Sequence, residues 1–262
     1  MRRAFESMRR AARVGVALAC GMPLTAFTAT CDKPLYLTFD TGHMGIAPLV
    51  ADVLKRHAVK VTFFLANERT QTGGTSLDAQ WEPWWTQRAL EGHAFASHTW
   101  DHAVWRADRA DGFVLQPTAG AQTGKRGTYT HAQYCEQIKR PAQWFKALTG
   151  KDTLPLYRAP GGKTSEALVA SARQCGFEHV GWSAAGFLGD ELPSDRYPND
   201  QLLARALRDL RSNDILLAHL GIWSRQDPWA PAVLEPLIVG LKQRGFCFFT
   251  LAEHPGYGRG KR

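Results

Sequence analysis

Lys60-Val61-Thr62-Phe63-Phe64-Leu65 sets the architecture of this chain. Its apolar residues run on without alternating, over the length of one strand. A strand that is apolar at both parities is covered on both faces, and such strands belong to parallel sheets flanked by helices. Moving outward, short runs of similar character recur at 35–40, 93–97, 156–158, 179–182, 214–219 and 246–251. Between them lie longer stretches with helical spacing, at 47–57, 84–91, 130–149, 165–175, 200–210 and 233–243. The alternation predicts βα units in an α/β fold with about seven parallel strands, open or closed into a barrel. A length of 262 residues suits one larger domain of that kind, or two small ones. No internal repeat recurs at a fixed period.

Residues 103–129 break the rhythm, with Pro117, four glycines (Gly112, Gly120, Gly124, Gly127) and few core candidates. They read as an insertion loop after the third strand, either flanking a cleft or lying on the surface. Trp81, Trp84, Trp85, Trp100 and Trp105 crowd the same part of the chain. Aromatic rings can stack on sugars, but core packing is the commoner fate of tryptophan.

The strand ends carry the reactive groups. Asp40 follows Tyr36-Leu37-Thr38-Phe39, Arg158 follows Leu156-Tyr157, and His219 follows Ile215-Leu216-Leu217-Ala218. The third strand runs into Ser97-His98-Thr99-Trp100-Asp101-His102. His98 and His102 are four apart, so on a helical turn both imidazoles point the same way and can share one metal ion. Among nine histidines a pair at this spacing is a weak signal by itself; the other three strand ends strengthen it. In a barrel all four ends meet at one rim, where barrel enzymes place their chemistry. A carboxylate there can act as general base, and a histidine as acid. A metal can polarise a carbonyl, and Arg158 can fix Asp40 by a bidentate pair. Together these are the parts of a metal-assisted amide or ester hydrolase.

Composition is ordinary for a globular protein with a large core, at 44% apolar and 21% charged residues. The net charge of +8 misleads, because residues 1–30 hold five arginines against Glu6. The remainder carries 27 basic and 23 acidic residues, scattered apart from a basic tail at 257–262. No basic stripe interleaves with aromatics, which argues against a nucleic-acid partner. The order of residues 1–30, arginines and then Val14-Gly15-Val16-Ala17-Leu18-Ala19-Cys20, is that of a secretory signal peptide or an uncleaved N-terminal anchor. Either points to export, into the periplasm or cell envelope. No later run reaches the ~20 apolar residues of a spanning helix, so membrane contact is expected only through that segment. A monomer is expected. Cys31, Cys135, Cys175 and Cys247 form no Cys-x-x-Cys pair. Export permits one or two disulfides without assigning them, and buried core thiols are the commoner alternative.

Four ordered segments resemble the motifs of the polysaccharide deacetylases, carbohydrate esterase family four, which carry the NodB-homology domain. They are Thr38-Phe39-Asp40-Thr41-Gly42, His98-Thr99-Trp100-Asp101-His102, Arg158-Ala159-Pro160-Gly161-Gly162 and Leu216-Leu217-Ala218-His219. The resemblance covers roughly 33–254, within a domain drawn at 31–256. It implies a deformed (β/α) barrel and removal of acetyl groups from N-acetylated amino sugars of a glycan, usually with zinc. By position it implies Asp40 as catalytic base, His98 and His102 as metal ligands, Arg158 as orienter of the base, Gly161 as oxyanion donor and His219 as acid. Pro160 and Trp182 fall beside the substrate.

Two departures stand out. The second aspartate of the family, a metal ligand, is Thr41 here, a far poorer donor. Metal is therefore expected to be held weakly, with His43 or Asp101 as conceivable substitutes. The Asp-Trp motif that orients the acid is also absent. After Gly181-Trp182-Ser183 the first aspartate is Asp190, which either takes that role or lies idle on the surface. A non-acidic residue at the Thr41 position and the His-x-Trp-x-His pair are similar to the muramic-acid deacetylase branch, so the substrate leans to peptidoglycan. Two alternatives remain at this level: a non-catalytic glycan-binding protein on a degenerate deacetylase fold, and an O-acetyl polysaccharide esterase.

Overall fold

A computed structural model describes residues 31–258. The expected signal or anchor at 1–30 and the end of the basic tail, 259–262, lie outside the described residues. The central sheet has seven strands, all parallel: β1 (Pro34–Asp40), β2 (Thr62–Leu65), β3 (Ala94–Ser97), β7 (Leu156–Tyr157), β8 (Glu178–His179), β9 (Ile215–His219) and β10 (Cys247–Phe248). The seven expected strands are all there, although the fourth, fifth and seventh are cut to two residues. β1 is central, with β2 along one side and β9 along the other, and β10 joins its first two residues. From β2 the order continues through β3 and β7 to β8. The stretch after β8 then returns to β9, where Ser183 N–H donates to Ile215 O at 3.0 Å and Leu217 N–H to Gly186 O at 2.9 Å. That irregular seam closes the barrel and deforms it.

Strand alternation divides the interior. Leu35, Leu37 and Phe39 point outward into the larger core, with Phe63 and Leu65 of β2. The helices α1 (Ala47–Arg56), α2 (Glu82–Leu90), α5 (Asn199–Asp209) and α6 (Leu234–Gln243) cover that core with their apolar faces. Tyr36, Phe64 and Ala96 point the other way and fill the barrel. Asp40 shares the parity of Tyr36, so the same alternation that packs the strand aims its carboxylate at the barrel mouth. Trp85 is fully buried, and Trp81, Trp84 and Trp100 pack against the same core, so most of the tryptophan cluster is structural.

Helix ends follow local chemistry. α3 (His131–Thr149) starts on a capping box between Thr130 and Gln133 and stops at Gly150, whose φ of 70° ends the helix. α4 (Glu166–Gln174) is capped by Ser165, which accepts from Leu168 N–H.

Two expectations are corrected. Residues 103–129 are no loop: they hold an antiparallel sheet of β4 (Ala103–Arg109), β5 (Gly112–Pro117) and β6 (Gly127–Thr130). Phe113, Leu115 and Ala103 bury one of its faces with Tyr134 and Ile138 of α3. The expectation of mostly free core thiols is also overturned, since Cys31 pairs with Cys247 and Cys135 with Cys175. The first pair ties the entry to β1 onto β10, and the second joins α3 to the end of α4.

Candidate active site

The carboxyl ends of β1, β3, β7 and β9 bring Asp40, His98, Arg158 and His219 to one mouth. Asp40 and His219 are register partners on adjacent strands. Arg158 is completely buried and donates from Nη1 to Asp40 Oδ1 at 2.7 Å. The expected bidentate pair is not formed. The rest of the guanidinium serves the barrel seam, with Nε donating to Val180 O (3.3 Å) and Nη2 to Gly181 O (3.1 Å), and its plane lies over the Phe64 ring. Asp40 Oδ2 is thus left to face His98 Nε2 at 3.3 Å. Burial pushes the Asp40 carboxyl up, but Arg158, His98 and His219 outweigh it and hold the group below the ordinary carboxylate range.

His98 and His102 lie on a turn rather than a helix, and Thr99 (φ 62°) and His102 (φ 46°) have left-handed backbone. The rings still meet, with centroids 4.8 Å apart. His98 Nδ1 lies 2.9 Å from Arg158 O and His102 Nδ1 lies 2.6 Å from Thr118 Oγ1. A carbonyl can only accept, so His98 carries its proton on Nδ1 and presents a bare Nε2. Burial keeps it neutral, with a pKa lowered to about 4. Engaged Nδ1 atoms and available Nε2 atoms are the usual arrangement of metal-ligating histidines.

At the other side of Asp40, His219 is held twice by Asp190. Its backbone N–H donates to Oδ2 at 2.6 Å, and its ring Nδ1 lies 3.1 Å from Oδ1. Burial would lower the imidazole pKa, but Asp190, Asp40 and Glu191 together raise it to about 9. Asp190 is buried, not idle on the surface.

Pro160, Gly161 and Gly162 form a tight 3-10 turn after Arg158, with φ of 63° at Gly161. A side chain at Gly162 would strike Trp182, which stands against this turn and under the Arg158 guanidinium, 5.7 Å from the ring centre. The structure therefore joins all three expected substrate-side residues to the Arg158 end of the site.

Neither conceivable substitute for the absent aspartate reaches the histidines. Asp101 is turned onto α3, where Gln137 Nε2 donates to it at 2.7 Å. His43 accepts from Gly45 N–H and packs its ring against Trp223. Sequence reasoning missed the residue that does come in: Glu68, three positions beyond β2. Thr41 Oγ1 donates to Glu68 Oε2 at 2.5 Å, and Gly42 N–H donates to the same oxygen at 2.6 Å. Burial opposes ionisation of Glu68, but His102, Thr41, His98 and Gly42 outweigh it and lower its pKa. The rule that placed Asp40, a polar group just past a strand's carboxyl end, was the signal for it. The donors present suit a divalent cation in kind, with two imidazoles and a carboxylate on one rim. Among the described residues, no group of three or more His, Cys, Asp or Glu side chains stands close enough together to hold a metal ion as placed.

Comparison with known proteins agrees with this fold. The family model for polysaccharide deacetylases matches residues 28–180. The chain belongs to that family, whose members are generally metal-dependent. It is 28% identical over 227 residues to the peptidoglycan-N-acetylmuramic acid deacetylase PdaA of Bacillus subtilis, covering 85% of this chain and 71% of that protein. It is 26% identical over 227 residues to the chitooligosaccharide deacetylase of Azorhizobium caulinodans, covering 83% and 92%. Among solved structures, the fold is similar to a family 4 acetyl xylan esterase from Clostridium thermocellum in complex with a cobalt ion. That match has a TM-score of 0.63 and 22% identity, covering 84% of this chain and 89% of the other.

Proposed function

We propose that this protein is an exported hydrolase that removes acetyl groups from N-acetylated amino sugars of a cell-wall glycan, with peptidoglycan as the leading polymer and zinc as the metal. The observation that carries this reading is the pairing of Asp40 with His219. Neighbouring strands hold a carboxyl kept ionised beside an imidazole kept protonated, each fixed by a buried partner, Arg158 and Asp190. Two titratable groups driven apart in this way are an acid and a base ready at neutral pH.

The residues divide the reaction as follows. Asp40 Oδ2 takes a proton from water as the water oxygen bonds to the acetyl carbonyl carbon. Arg158 keeps that carboxylate aimed and charged. The backbone N–H of Gly161 serves the oxygen on which negative charge develops. His219 keeps Nδ1 on Asp190 and gives its Nε2 proton to the sugar nitrogen as the carbon–nitrogen bond breaks, leaving acetate and a free amine. Pro160 and Trp182 wall the acetyl side. His98 and His102 would hold the divalent cation, which when bound supplies Lewis-acid polarisation of the acetyl carbonyl.

The similarity to PdaA supports peptidoglycan, and the similarity to a chitooligosaccharide deacetylase keeps a chitin-like glycan as the alternative. Two disulfides support an oxidising compartment outside the cytoplasm. A non-catalytic glycan scaffold would need neither the buried Asp40–Arg158 pair nor the Asp190–His219 pair, and buried charges are costly to keep without a use. The test is acetate release from peptidoglycan and from N-acetylglucosamine oligomers, with added zinc and after chelation, beside Asp40→Asn. Chelator-sensitive release that the variant lacks is expected. Release from no N-acetylated substrate by folded, zinc-supplied protein would refute the reading.

A further inference from the structure

The rim places a carboxylate where the motif lacks one. Thr41 cannot stand in for an aspartate, but its hydroxyl and the Gly42 N–H both point into a single oxygen of Glu68. Gly42 is needed there: its φ is 91°, and a side chain would collide with the Gly221 carbonyl. The backbone is thus shaped to bring an N–H onto Glu68. The Glu68 loop is itself anchored, with Glu68 N–H donating to Ser76 Oγ at 3.0 Å and Ser76 N–H to Glu68 O at 2.8 Å.

The charge on Glu68 has no ordinary partner. Among the described residues no lysine or arginine stands within 4.0 Å of its carboxylate. Both of its hydrogen bonds fall on Oε2. His102 and His98 lie near enough to lower its pKa, and their Nδ1 atoms are already engaged elsewhere. A part-buried carboxylate without a cation beside it is costly, and such groups are paired or coordinate metal. The His102 Nε2, the unprotonated His98 Nε2 that faces Asp40, and a carboxylate without a lysine or arginine partner form a complementary donor set on one rim.

We propose that Glu68 is the third protein ligand of the metal, supplied from the loop after β2, with Thr41 and Gly42 acting as the donors that orient it. The inference rests on the proposed metal-dependent reading and deepens it. A carboxylate that in the family comes from the strand carrying the base would here come from the neighbouring strand's loop, and Thr41 would turn from ligand into orienter.

The test is zinc titration of metal-free protein by calorimetry, with thermal melts to verify folding. Wild type is expected to bind one zinc. Glu68→Gln keeps shape and hydrogen bonds but loses the charge, and should weaken zinc by about 100-fold or more; Thr41→Val should weaken it by about 10-fold, the lower end for an outer-shell partner. The double variant Thr41→Asp with Glu68→Gln should recover most of the affinity, because it returns a carboxylate to the motif position. A merely structural role for Glu68 would not be rescued that way. If folded Glu68→Gln binds zinc as wild type does while His102→Ala does not, Glu68 is no ligand and the inference falls, with the metal site intact. If wild type binds neither zinc nor cobalt, the inference and the metal both fall, and acetate release judges the hydrolase reading separately.

Discussion

Phe39 and Asp40 are neighbours on β1, yet they serve opposite ends of this protein's physics. Phe39 is fully buried against Phe63, which in turn contacts Trp84, Trp85, His93 and Phe95. Asp40 is almost as buried, but its surroundings are Arg158, His98 and His219. One residue's shift along a strand exchanges the two faces. Stability is thus vested in the outward parity and chemistry in the inward parity at the strand's carboxyl end. The two should be separable by substitution.

The largest effect should come from the inward side. Asp40→Asn keeps the shape and the bond to Arg158 but removes the base, and should lower kcat by about 10³-fold or more with a thermal midpoint within a few degrees of wild type. Acetate-release kinetics beside a melt would show it, and a variant that keeps full activity would break the comparison at its centre. On the outward side, Phe63→Ala should cost about 3–5 kcal/mol of unfolding free energy. Denaturant titration measures that loss, and the surviving folded fraction should turn over normally at low temperature. Next comes Asp190→Asn. His219 is protonated through neutral pH and loses its proton near pH 9, so activity should fall on the alkaline side there. Without the Asp190 charge that limb should move toward the ordinary value of about 6.5, with kcat down ~10-fold or more. A pH–rate profile with an unmoved limb would sever Asp190 from the acid.

The smallest effect sharpens the outward side. His93 is buried, and its Nδ1 accepts from Val61 N–H at 3.1 Å. Burial lowers its pKa to about 4. A histidine depressed in the folded state lends stability that is complete above about pH 6.5 and drains away as pH falls through 4. Melts between those values should show the wild type losing stability more steeply than His93→Asn, while the alkaline limb of activity stays in place.

Much of this was readable beforehand. The six helices were found within two residues of their ends, the largest difference being the start of α2 at Glu82. Helical spacing, the Thr130 and Ser165 caps and the stop at Gly150 are local signals that tertiary contacts had no reason to overrule. Asp40, Arg158 and His219 were legible because each sits just past an apolar strand. The antiparallel sheet at 103–130 was missed because its glycines and Pro117 read as breakers. Yet Asp111-Gly112 followed by Phe113, Val114 and Leu115 carries a hairpin signal. Glu68 was missed for another reason. It lies outside the four motifs, 27 residues along the chain from Thr41, and no local spacing links the two.

The sequence alone determined the parallel α/β order, the parity that turns Asp40 inward, and the family. These are properties of neighbours along the chain, where spacing of 2 or 3.6 residues is enough to assign a face. Tertiary structure alone decided that Cys31 meets Cys247, that Asp190 holds His219, and that Glu68 arrives beside Thr41. Each of those contacts joins segments from 27 to 216 residues apart. Their meeting depends on which strands lie side by side, β1 beside β2 and β10, and, for Asp190, on the seam between β8 and β9, none of which a local period encodes.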